Sequence, residues 1–433
     1  MPTEFATREP IRTDELPDAL IITRNLPPLV GGMERLVWHI VDELREGYRI
    51  HVIGPNGCGA QLPQGVTVTE VPLKPISLYL FRAIIAALRE ALHRRLHIVF
   101  AGSGLTAPFA WIVARLSGAN CFVYLHGLDI EARHPLYRLL WRPFFRHFDR
   151  IMVNSRFTQQ LASGAGIPPE HTTILHPGVQ LPDMRDAIRK RIDFRNRHYL
   201  DDSPVMLYVG RITARKGLAV FADDILPRIV KQQPNAKLVV IGDEPTSALL
   251  QTKGERARIE EILMINGLKQ SVRFLGELSQ DDPELTAAYF ASDVLVFPVQ
   301  NRMNDNEGFG MVAIEAAAHG LPTVAFAVGG VTDAVADNIS GKLVLAGDNY
   351  AFSRAVINQL NRASSNRMHD INEFAAGFAW PLFGQRLRQI CQPGRKESIC
   401  VKKHPKINAV HLGYLGERQD RCGLTRTADR SKN

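Results

Sequence analysis

The chain has 433 residues, of which 45% are hydrophobic and 22% are charged, as expected for globular domains with sizeable cores. No apolar run reaches the length of about 18 residues that a membrane-spanning helix needs, and the first 20 residues contain no apolar segment typical of a secretory signal. The five cysteines are few and scattered, which argues against a disulfide framework and favours the cytoplasm.

The net charge of +8 is concentrated at the end of the chain, because residues 392–433 contain ten Lys or Arg against four Asp or Glu. The remainder of the chain is close to neutral, so the composition does not favour nucleic-acid binding, which requires a basic folded face. Residues 392–433 also lack a hydrophobic period, and we predict a basic, disordered tail.

Short apolar segments alternate along the chain with segments of helical period, a pattern typical of parallel α/β sheets. The predicted strands are residues 19–23, 49–54, 66–71, 97–101, 121–127, 150–155, 205–210, 237–242, 272–276, 294–298, 322–326 and 341–345. The predicted helices include residues 33–45, 77–94, 157–163, 217–232 and 311–319. Two doubly wound domains would form a cleft at the carboxyl ends of their strands.

The order of these elements predicts the division of the chain. We expect a first domain at 1–180, a polar linker at 181–204, a second domain at 205–379 and a further helix at 380–391.

The segment "VGRITARKG" (209–217) places two cations after a predicted strand. Arg211 and Lys216 follow Gly210 and precede a helix start, an arrangement that suits a diphosphate. A solvated surface turn explains this segment alone equally well.

The segment "NEGFGMVAIEA" (306–316) adds two carboxylates around a glycine turn. Gly308 and Gly310 expose backbone N–H groups before a helix, whose positive end favours an anion. Glu315 lies in an apolar helix, where a carboxylate is costly unless hydroxyls or cations bind it. We therefore expect Glu315 to accept hydrogen bonds from vicinal hydroxyls such as those of ribose, and Glu307 to contact a group beyond the phosphates.

Two segments of the first half also end predicted strands. "LVGGMER" (29–35) places Gly31 and Gly32 before a helix whose first turn contains Glu34, and "YLHGLDI" (124–130) contains His126 and Asp129. A histidine is more often structural than catalytic, but the end of a strand faces the expected cleft.

Taken together, these segments resemble the family-4 retaining glycosyltransferases of the GT-B fold. The similarity extends over residues 18–391 and includes "VNSRFT" (153–158), "ILHPGV" (174–179) and "VGGVTDAV" (328–335). It implies two Rossmann-like domains facing a central cleft, of which 1–180 would bind the acceptor and 205–379 the nucleotide sugar. The helix at 380–391 would cross back to the first domain. The implied reaction transfers a hexose from a nucleotide-diphosphate sugar with its anomeric configuration kept, by front-face displacement and without a metal or other cofactor.

The resemblance also implies roles for individual residues. His126, Glu307, Arg211 and Lys216 would be catalytic, with His126 near the donor sugar and the two cations on the diphosphate. The implied donor-binding residues are Gly31, Gly32, Gly210, Arg211, Lys216, Gly308, Phe309, Gly310, Met311, Val312 and Glu315. The implied acceptor or cleft residues are Glu34, Asp129, Asn154 and Ser155.

The expected partners are a mannose- or glucose-type nucleotide sugar and a lipid-linked or glycan acceptor of bacterial cell-surface polysaccharide, lipopolysaccharide or glycolipid. Residues 77–96 and 134–150 interleave apolar or aromatic residues with arginines, which suits peripheral contact with an anionic membrane surface. A core helix with a solvated basic rim fits residues 77–96 equally well.

Two other functions remain open on the sequence. An epimerase or an inverting transferase would use the same fold. A nucleotide-dependent oxidoreductase is disfavoured, because "GSGLTA" (102–107) is followed by a strand that does not end in an acidic residue.

Overall fold

The computed structural model describes residues 16–132, 134–244, 254–303, 305–361 and 368–392, and they form two α/β domains. The predicted disordered tail lies outside the described residues, apart from Gln392.

The N-terminal domain is built on seven strands. They are β1 (Asp18–Ile22), β2 (Arg49–Pro55), β3 (Thr67–Val71), β4 (Leu96–Ala101), β5 (Asn120–Leu125), β6 (Arg150–Val153) and β7 (Thr172–Ile174). Its helices are α1 (Gly32–Leu44), α2 (Ile76–His93), α3 (Ala107–Ser117), α4 (Leu128–Glu131), α5 (Pro135–Leu140) and α6 (Arg156–Gly164), with short 3₁₀ turns at Gly59–Gln61, Gly104–Thr106, Arg142–His147 and Pro169–His171.

The C-terminal domain has six strands, which are β8 (Val205–Val209), β9 (Lys237–Ile241), β10 (Val272–Gly276), β11 (Val294–Phe297), β12 (Thr323–Phe326) and β13 (Gly341–Val344). The helices of this half are α7 (Ala187–Arg197), α8 (Leu218–Val220), α9 (Leu226–Gln232), α10 (Glu255–Ile265), α11 (Pro283–Ala291), α12 (Met311–Ala318), α13 (Val331–Ala334), α14 (Asn349–Leu360), α15 (Met368–Ala376) and α16 (Trp380–Cys391). Short 3₁₀ turns lie at Met184–Asp186, Ala214–Lys216 and Lys269–Ser271, and Phe221–Ile225 forms a π-helical turn between α8 and α9.

Both sheets are entirely parallel and doubly wound. The strand order is β3-β2-β1-β4-β5-β6-β7 in the first sheet and β10-β9-β8-β11-β12-β13 in the second. The order reverses between β1 and β4, and again between β8 and β11. Crevices for ligands open at such reversals, outside the carboxyl ends of the strands. The α/β fold with two doubly wound domains is therefore confirmed.

All twelve strands predicted from the sequence are present, within one or two residues at most ends. β7 was not predicted, because three residues give too short an apolar run to detect. The single helix predicted at 217–232 is instead divided into α8, the π-helical turn and α9.

The segment predicted as a linker, 181–204, contains a helix. α7 packs against α11 of the second domain, and Arg191 and Arg195 both bind the Asp293 carboxylate at 2.7 and 3.0 Å. The chain enters and leaves the second domain at one place, since the Val179 N–H donates to Phe378 and the Trp380 N–H to Val179. Beyond that point α16 returns to the first domain and packs on α1.

None of the helices in the described ranges combines the length and hydrophobicity required to cross a membrane.

Candidate active site

A large cleft lies where the carboxyl ends of the two sheets face each other, with a volume of about 3890 Å³. The predicted residues of both domains line it, with the exception of Ser155. Ser155 instead caps α6 by accepting the Thr158 N–H at 3.1 Å, so its hydroxyl serves the local fold.

The loop after β8 contributes three cations to the cleft. Arg211 is exposed, whereas Lys216 is buried over the face of Phe297, 5.1 Å from the ring centroid. Arg215 lies between them in the sequence and was not predicted as a site residue. Burial lowers the pKa of Lys216, and the neighbouring Glu307 opposes that shift.

Glu307 lies directly against two of these cations. Its Oε2 atom is 2.9 Å from Lys216 Nζ and also binds Arg215, which reaches Asp305 at 3.1 Å as well. Burial alone would raise the pKa of Glu307, but the charges of Lys216 and Arg215 lower it to about 2. Glu307 is therefore ionised at neutral pH, and an ionised carboxylate only accepts hydrogen bonds, which suits ligand hydroxyls.

Glu315 has partners from both domains. Its Oε1 atom binds Arg35 of α1, and its Oε2 atom accepts the Tyr289 hydroxyl at 2.9 Å. Only 6% of the Glu315 side chain is exposed, against 21% of the Arg35 side chain. The cation and the hydroxyl that a buried carboxylate at this position requires are thus both supplied by the protein.

The glycine turn between the two carboxylates is sterically required. Gly310 precedes α12 with a φ of 96°, which favours glycine, and a Cβ atom there would lie 2.8 Å from the Phe297 ring. A Cβ atom on Gly308 would approach the His126 carbonyl oxygen to 2.6 Å. The turn therefore brings bare backbone to the N-terminal domain at His126.

The remaining predicted donor residues surround this turn. Phe309 is buried and stacks on His176, with ring centroids 5.3 Å apart. Gly32 packs against Met311, whose sulfur would lie 2.8 Å from a Cβ atom on that glycine. Further cleft-lining positions of this group are Gly31, Gly210 and Val312.

His126 is buried at the end of β5 and faces the cleft. Its Nε2 atom donates to the Gly102 carbonyl at 2.9 Å, so the proton lies on Nε2 and Nδ1 is free to accept when the ring is neutral. Its backbone N–H donates to Asp129 at 3.0 Å. The Asn154 amide lies 3.4 Å from the His126 carbonyl oxygen.

Glu34 faces the cleft, but one of its oxygens already accepts a hydrogen bond from the Asn25 side chain at 2.8 Å.

The two domains also contact each other through buried Asp333, which accepts hydrogen bonds from the backbone and side-chain N–H groups of Arg156 at 2.8 and 2.7 Å. Asn306 beside Glu307 similarly donates to Glu131 at 2.9 Å.

Arg35, Arg215 and Tyr289 were not predicted as site residues. Arg35 and Arg215 stand beside assigned residues, and clustering of cations with those residues could have identified them. Tyr289 lies 26 residues before Glu315, and no local pattern indicates their pairing.

Within the described ranges, no group of three or more His, Cys, Asp and Glu side chains has the geometry to hold a metal ion.

Comparison with known proteins identifies both domains. The family model described as Glycosyltransferase Family 4 matches residues 30–182, and that described as Glycosyl transferases group 1 matches residues 203–362. The chain resembles the crystal structure of Anabaena HepE in complex with UDP, with a TM-score of 0.70 and 19% identity over 86% of this chain and 98% of that one. It also resembles a glycosyltransferase from Rickettsia africae, with a TM-score of 0.70 and 17% identity over 87% and 100% of the two chains.

Curated relatives include a GDP-mannose-dependent alpha-(1-6)-phosphatidylinositol monomannoside mannosyltransferase of Mycolicibacterium smegmatis. It is 26% identical over 88% of this chain and 99% of its own length. A D-inositol 3-phosphate glycosyltransferase of the same organism is 32% identical over 61% of this chain, and the match spans 57% of that relative.

Two facing doubly wound domains with these matches define a glycosyltransferase of the GT-B fold. The chain belongs to the group 1 glycosyltransferases, with the family-4 domain in its N-terminal half.

The cluster around Glu307 predicts a pH-dependent effect on stability. Glu307→Gln removes the counter-charge of buried Lys216 and leaves Arg215 with Asp305, and we expect a loss of about 3–5 kcal/mol in the free energy of unfolding at pH 7. Because the folded-state pKa of about 2 lies below the ordinary value of 4.5, the contribution of Glu307 is complete above pH 4.5 and is lost as the pH falls towards 2. Urea unfolding should show that the difference in the free energy of unfolding between Glu307→Gln and the wild type becomes smaller as the pH falls from 7 to 3.

Glu260→Gln is the matched control, since Glu260 is exposed and pairs with Arg256 one helical turn away. It should change the free energy of unfolding by less than about 0.5 kcal/mol. A Glu307→Gln protein as stable as this control would contradict the assigned ion pairs.

Proposed function

We propose that this protein is a retaining hexosyltransferase acting on a nucleotide-diphosphate sugar of mannose or glucose type. The acceptor would be a lipid-linked or glycan intermediate of bacterial cell-surface polysaccharide, lipopolysaccharide or glycolipid. The observation that carries the proposal is the Glu307 carboxylate, whose side chain is 14% exposed, bound by Lys216 and Arg215 at the carboxyl edge of the second sheet. The full-length match to a GDP-mannose-dependent mannosyltransferase supports the choice of donor.

The cations would act on the leaving group. Cleavage of the bond between the anomeric carbon and the diphosphate builds negative charge on the diphosphate oxygen, and fixed positive groups stabilise that charge. Arg211 and Lys216 supply two of them, and the N-terminus of α12 after Gly310 supplies backbone N–H groups. We propose that these groups make a metal unnecessary.

The carboxylates would hold the two sugars of the donor. Glu307 accepts hydroxyls of the transferred hexose, and Glu315 accepts hydroxyls of the ribose in place of Arg35. With the hexose fixed near His126, the acceptor oxygen bonds to the anomeric carbon on the face that the diphosphate leaves. The acceptor proton passes to the departing phosphate oxygen, so atoms and charge balance and the configuration is retained.

The first alternative is another nucleotide-sugar enzyme on the same fold, either an inverting transferase or an epimerase. The second is a nucleotide-dependent oxidoreductase. A panel of nucleotide sugars tested by thermal shift would identify the donor, because a ligand that binds only the folded state raises the melting temperature. NMR of the product formed from that donor should show the anomeric configuration of the donor. An inverted product, or a donor that is epimerised and not transferred, would exclude the proposal.

Lys216→Ala should lower kcat/KM for transfer by about 10²–10³, the effect of removing one group that stabilises developing negative charge. Steady-state kinetics with the identified donor measure this loss, and circular dichroism should show an unchanged fold. Lys231→Ala, an exposed lysine at the end of α9, provides the control of equal charge change. Equal activity in both variants would remove Lys216 from the mechanism.

We further propose peripheral attachment at the cytoplasmic face of the membrane. α2 exposes Phe81, Ile85 and Leu92 next to exposed Arg82 and Arg89, and α5 exposes Leu136, Leu139 and Leu140 beside Arg138. Exposed apolar side chains with adjacent arginines suit anionic lipid headgroups.

Co-sedimentation with liposomes tests this attachment. Binding to phosphatidylglycerol vesicles should exceed binding to phosphatidylcholine vesicles and weaken with salt. The double variant Phe81→Ser, Leu139→Ser should bind phosphatidylglycerol vesicles less than the wild type does. Equal binding by the variant, or no preference of the wild type for phosphatidylglycerol, would contradict the proposed surface.

A further inference from the structure

A second crevice opens at the strand reversal of the first sheet, on the opposite wall of the cleft from the cations that follow β8. The chain leaves β1 through Arg24 and leaves β4 through Ser103, and both residues line the cleft. Because neighbouring strands lie about 4.8 Å apart, the residues that follow β1, β4 and β5 form a row of Arg24, Ser103 and His126.

Two polar atoms of this row, on Arg24 and Ser103, have no hydrogen-bond partner among the described residues. Ser103 is 5% exposed, and its hydroxyl has no hydrogen-bond partner in the described part of the chain. Ser103 directly precedes the helical segment formed by Gly104–Thr106 and α3, yet its side chain does not cap that segment. The first N–H groups of a helix lack partners within the helix and favour an anion.

Arg24 is half-buried, and its buried Nε atom has no hydrogen-bond partner among the described residues. Two carboxylates that line this wall already accept hydrogen bonds, Glu34 from the Asn25 side chain and Asp129 from the His126 backbone N–H. Tyr79 has a second buried hydroxyl without a hydrogen-bond partner among the described residues. Burial raises the pKa of this hydroxyl, and the positive charge of Arg24 acts in the opposite direction.

Leaving a half-buried arginine and two buried hydroxyls unpaired costs free energy, so such a cluster is expected where a ligand completes it. A guanidinium, a hydroxyl and the N–H groups at a helix N-terminus can all donate hydrogen bonds. Together they suit the oxygens of a phosphoryl group, which accept hydrogen bonds. The wall beyond them is apolar, with Leu73, Ile76, Leu80 and Leu105 lining the cleft and Lys74 exposed among them.

We propose that Arg24 and Ser103 form a subsite for a phosphoryl group on the acceptor, whose apolar part lies along the Leu73–Leu80 wall. The inference rests on the proposed transferase function and specifies its acceptor as a phosphorylated amphiphile. The phosphoryl group occupies the first-sheet crevice next to His126, and the acceptor hydroxyl faces the donor sugar across the cleft. Arg24 and Ser103 are specificity-determining residues that do not touch the anomeric carbon.

Calorimetry on the full chain, after saturation with GDP or UDP, tests this subsite separately from the donor site. The probes are glycerol 3-phosphate against glycerol, and dihexanoyl phosphatidic acid against dihexanoyl glycerol below their micelle concentrations. At least one phosphoryl probe should bind more tightly than its neutral counterpart. Binding of glycerol 3-phosphate would show that a free phosphate ester suffices, and binding of the lipid alone would show that the apolar wall contributes.

Arg24→Ala should lower the affinity for the phosphoryl probe by about tenfold or more, the usual effect of losing a charge-assisted hydrogen bond. Ser103→Ala, a smaller change that removes only the hydroxyl, should weaken it about threefold to tenfold. Arg115→Ala, at an exposed arginine of α3 in the same domain, should leave binding unchanged. The nucleotide affinity of all three variants should equal that of the wild type, which also shows that they are folded.

Equal affinity of wild type and Arg24→Ala for the phosphoryl probes, or no preference over the neutral probes, would overturn the subsite while nucleotide binding persists. Failure of the wild type to bind GDP, UDP or any nucleotide sugar would instead overturn the proposed transferase function.

Discussion

Burial of carboxylates in the cleft is the constraint on which this structure depends. An ionised carboxylate removed from water is unfavourable by several kcal/mol unless a cation and hydrogen-bond donors replace the lost hydration. Glu307 obtains its cations from a loop of its own domain, through Lys216 and Arg215. Glu315 obtains its cation from the other domain, through Arg35. The arrangement of the two domains is therefore coupled to the electrostatics of the site, since separation of the domains would remove the cation from Glu315.

The parallel sheets explain why charged and unpaired groups collect in one cleft. Each sheet reverses its strand order once, and the loops on either side of a reversal diverge and leave a crevice. In the second sheet the crevice lies between the loops after β8 and β11, which contain Lys216 and Glu307. In the first sheet it lies between the loops after β1 and β4, which contain Arg24 and Ser103. Two crevices facing each other suit a reaction that joins two substrates.

Much of this architecture could be predicted from the sequence, because buried parallel strands are short apolar runs with glycine turns at their ends. The segment containing Glu307 and Glu315 was recognised for a local reason, namely two acids around a turn that leads into an apolar helix. The helix predicted at 217–232 was interrupted where the π-helical turn changes the register, which hydrophobic period does not reveal.

Contacts between distant parts of the chain could not be predicted in this way. Arg35 and Glu315 are 280 positions apart, and their pairing depends on how the domains close. Tyr289 reaches Glu315 because α11 and α12 pack on the same face of the second sheet, a tertiary relation that no sequence period encodes. The sequence also does not reveal that the Arg24 Nε atom lacks a partner among the described residues, because an arginine after a strand is ordinarily solvated or paired.

The two oxygens of Glu315 differ in a way that bears on donor binding. Oε2 is held by the hydroxyl of Tyr289, which is buried and stacked on His319 with ring centroids 4.7 Å apart. Oε1 is held by Arg35, a longer and more exposed side chain from the opposite domain. In the proposed donor complex, ribose hydroxyls would take the place of Arg35 on Oε1, the more exposed of the two contacts, and Tyr289 would keep the carboxylate oriented. Donor binding would then exchange partners on an already buried charge. Its affinity would reflect the difference between two sets of contacts, with Arg35 released to interact with the diphosphate.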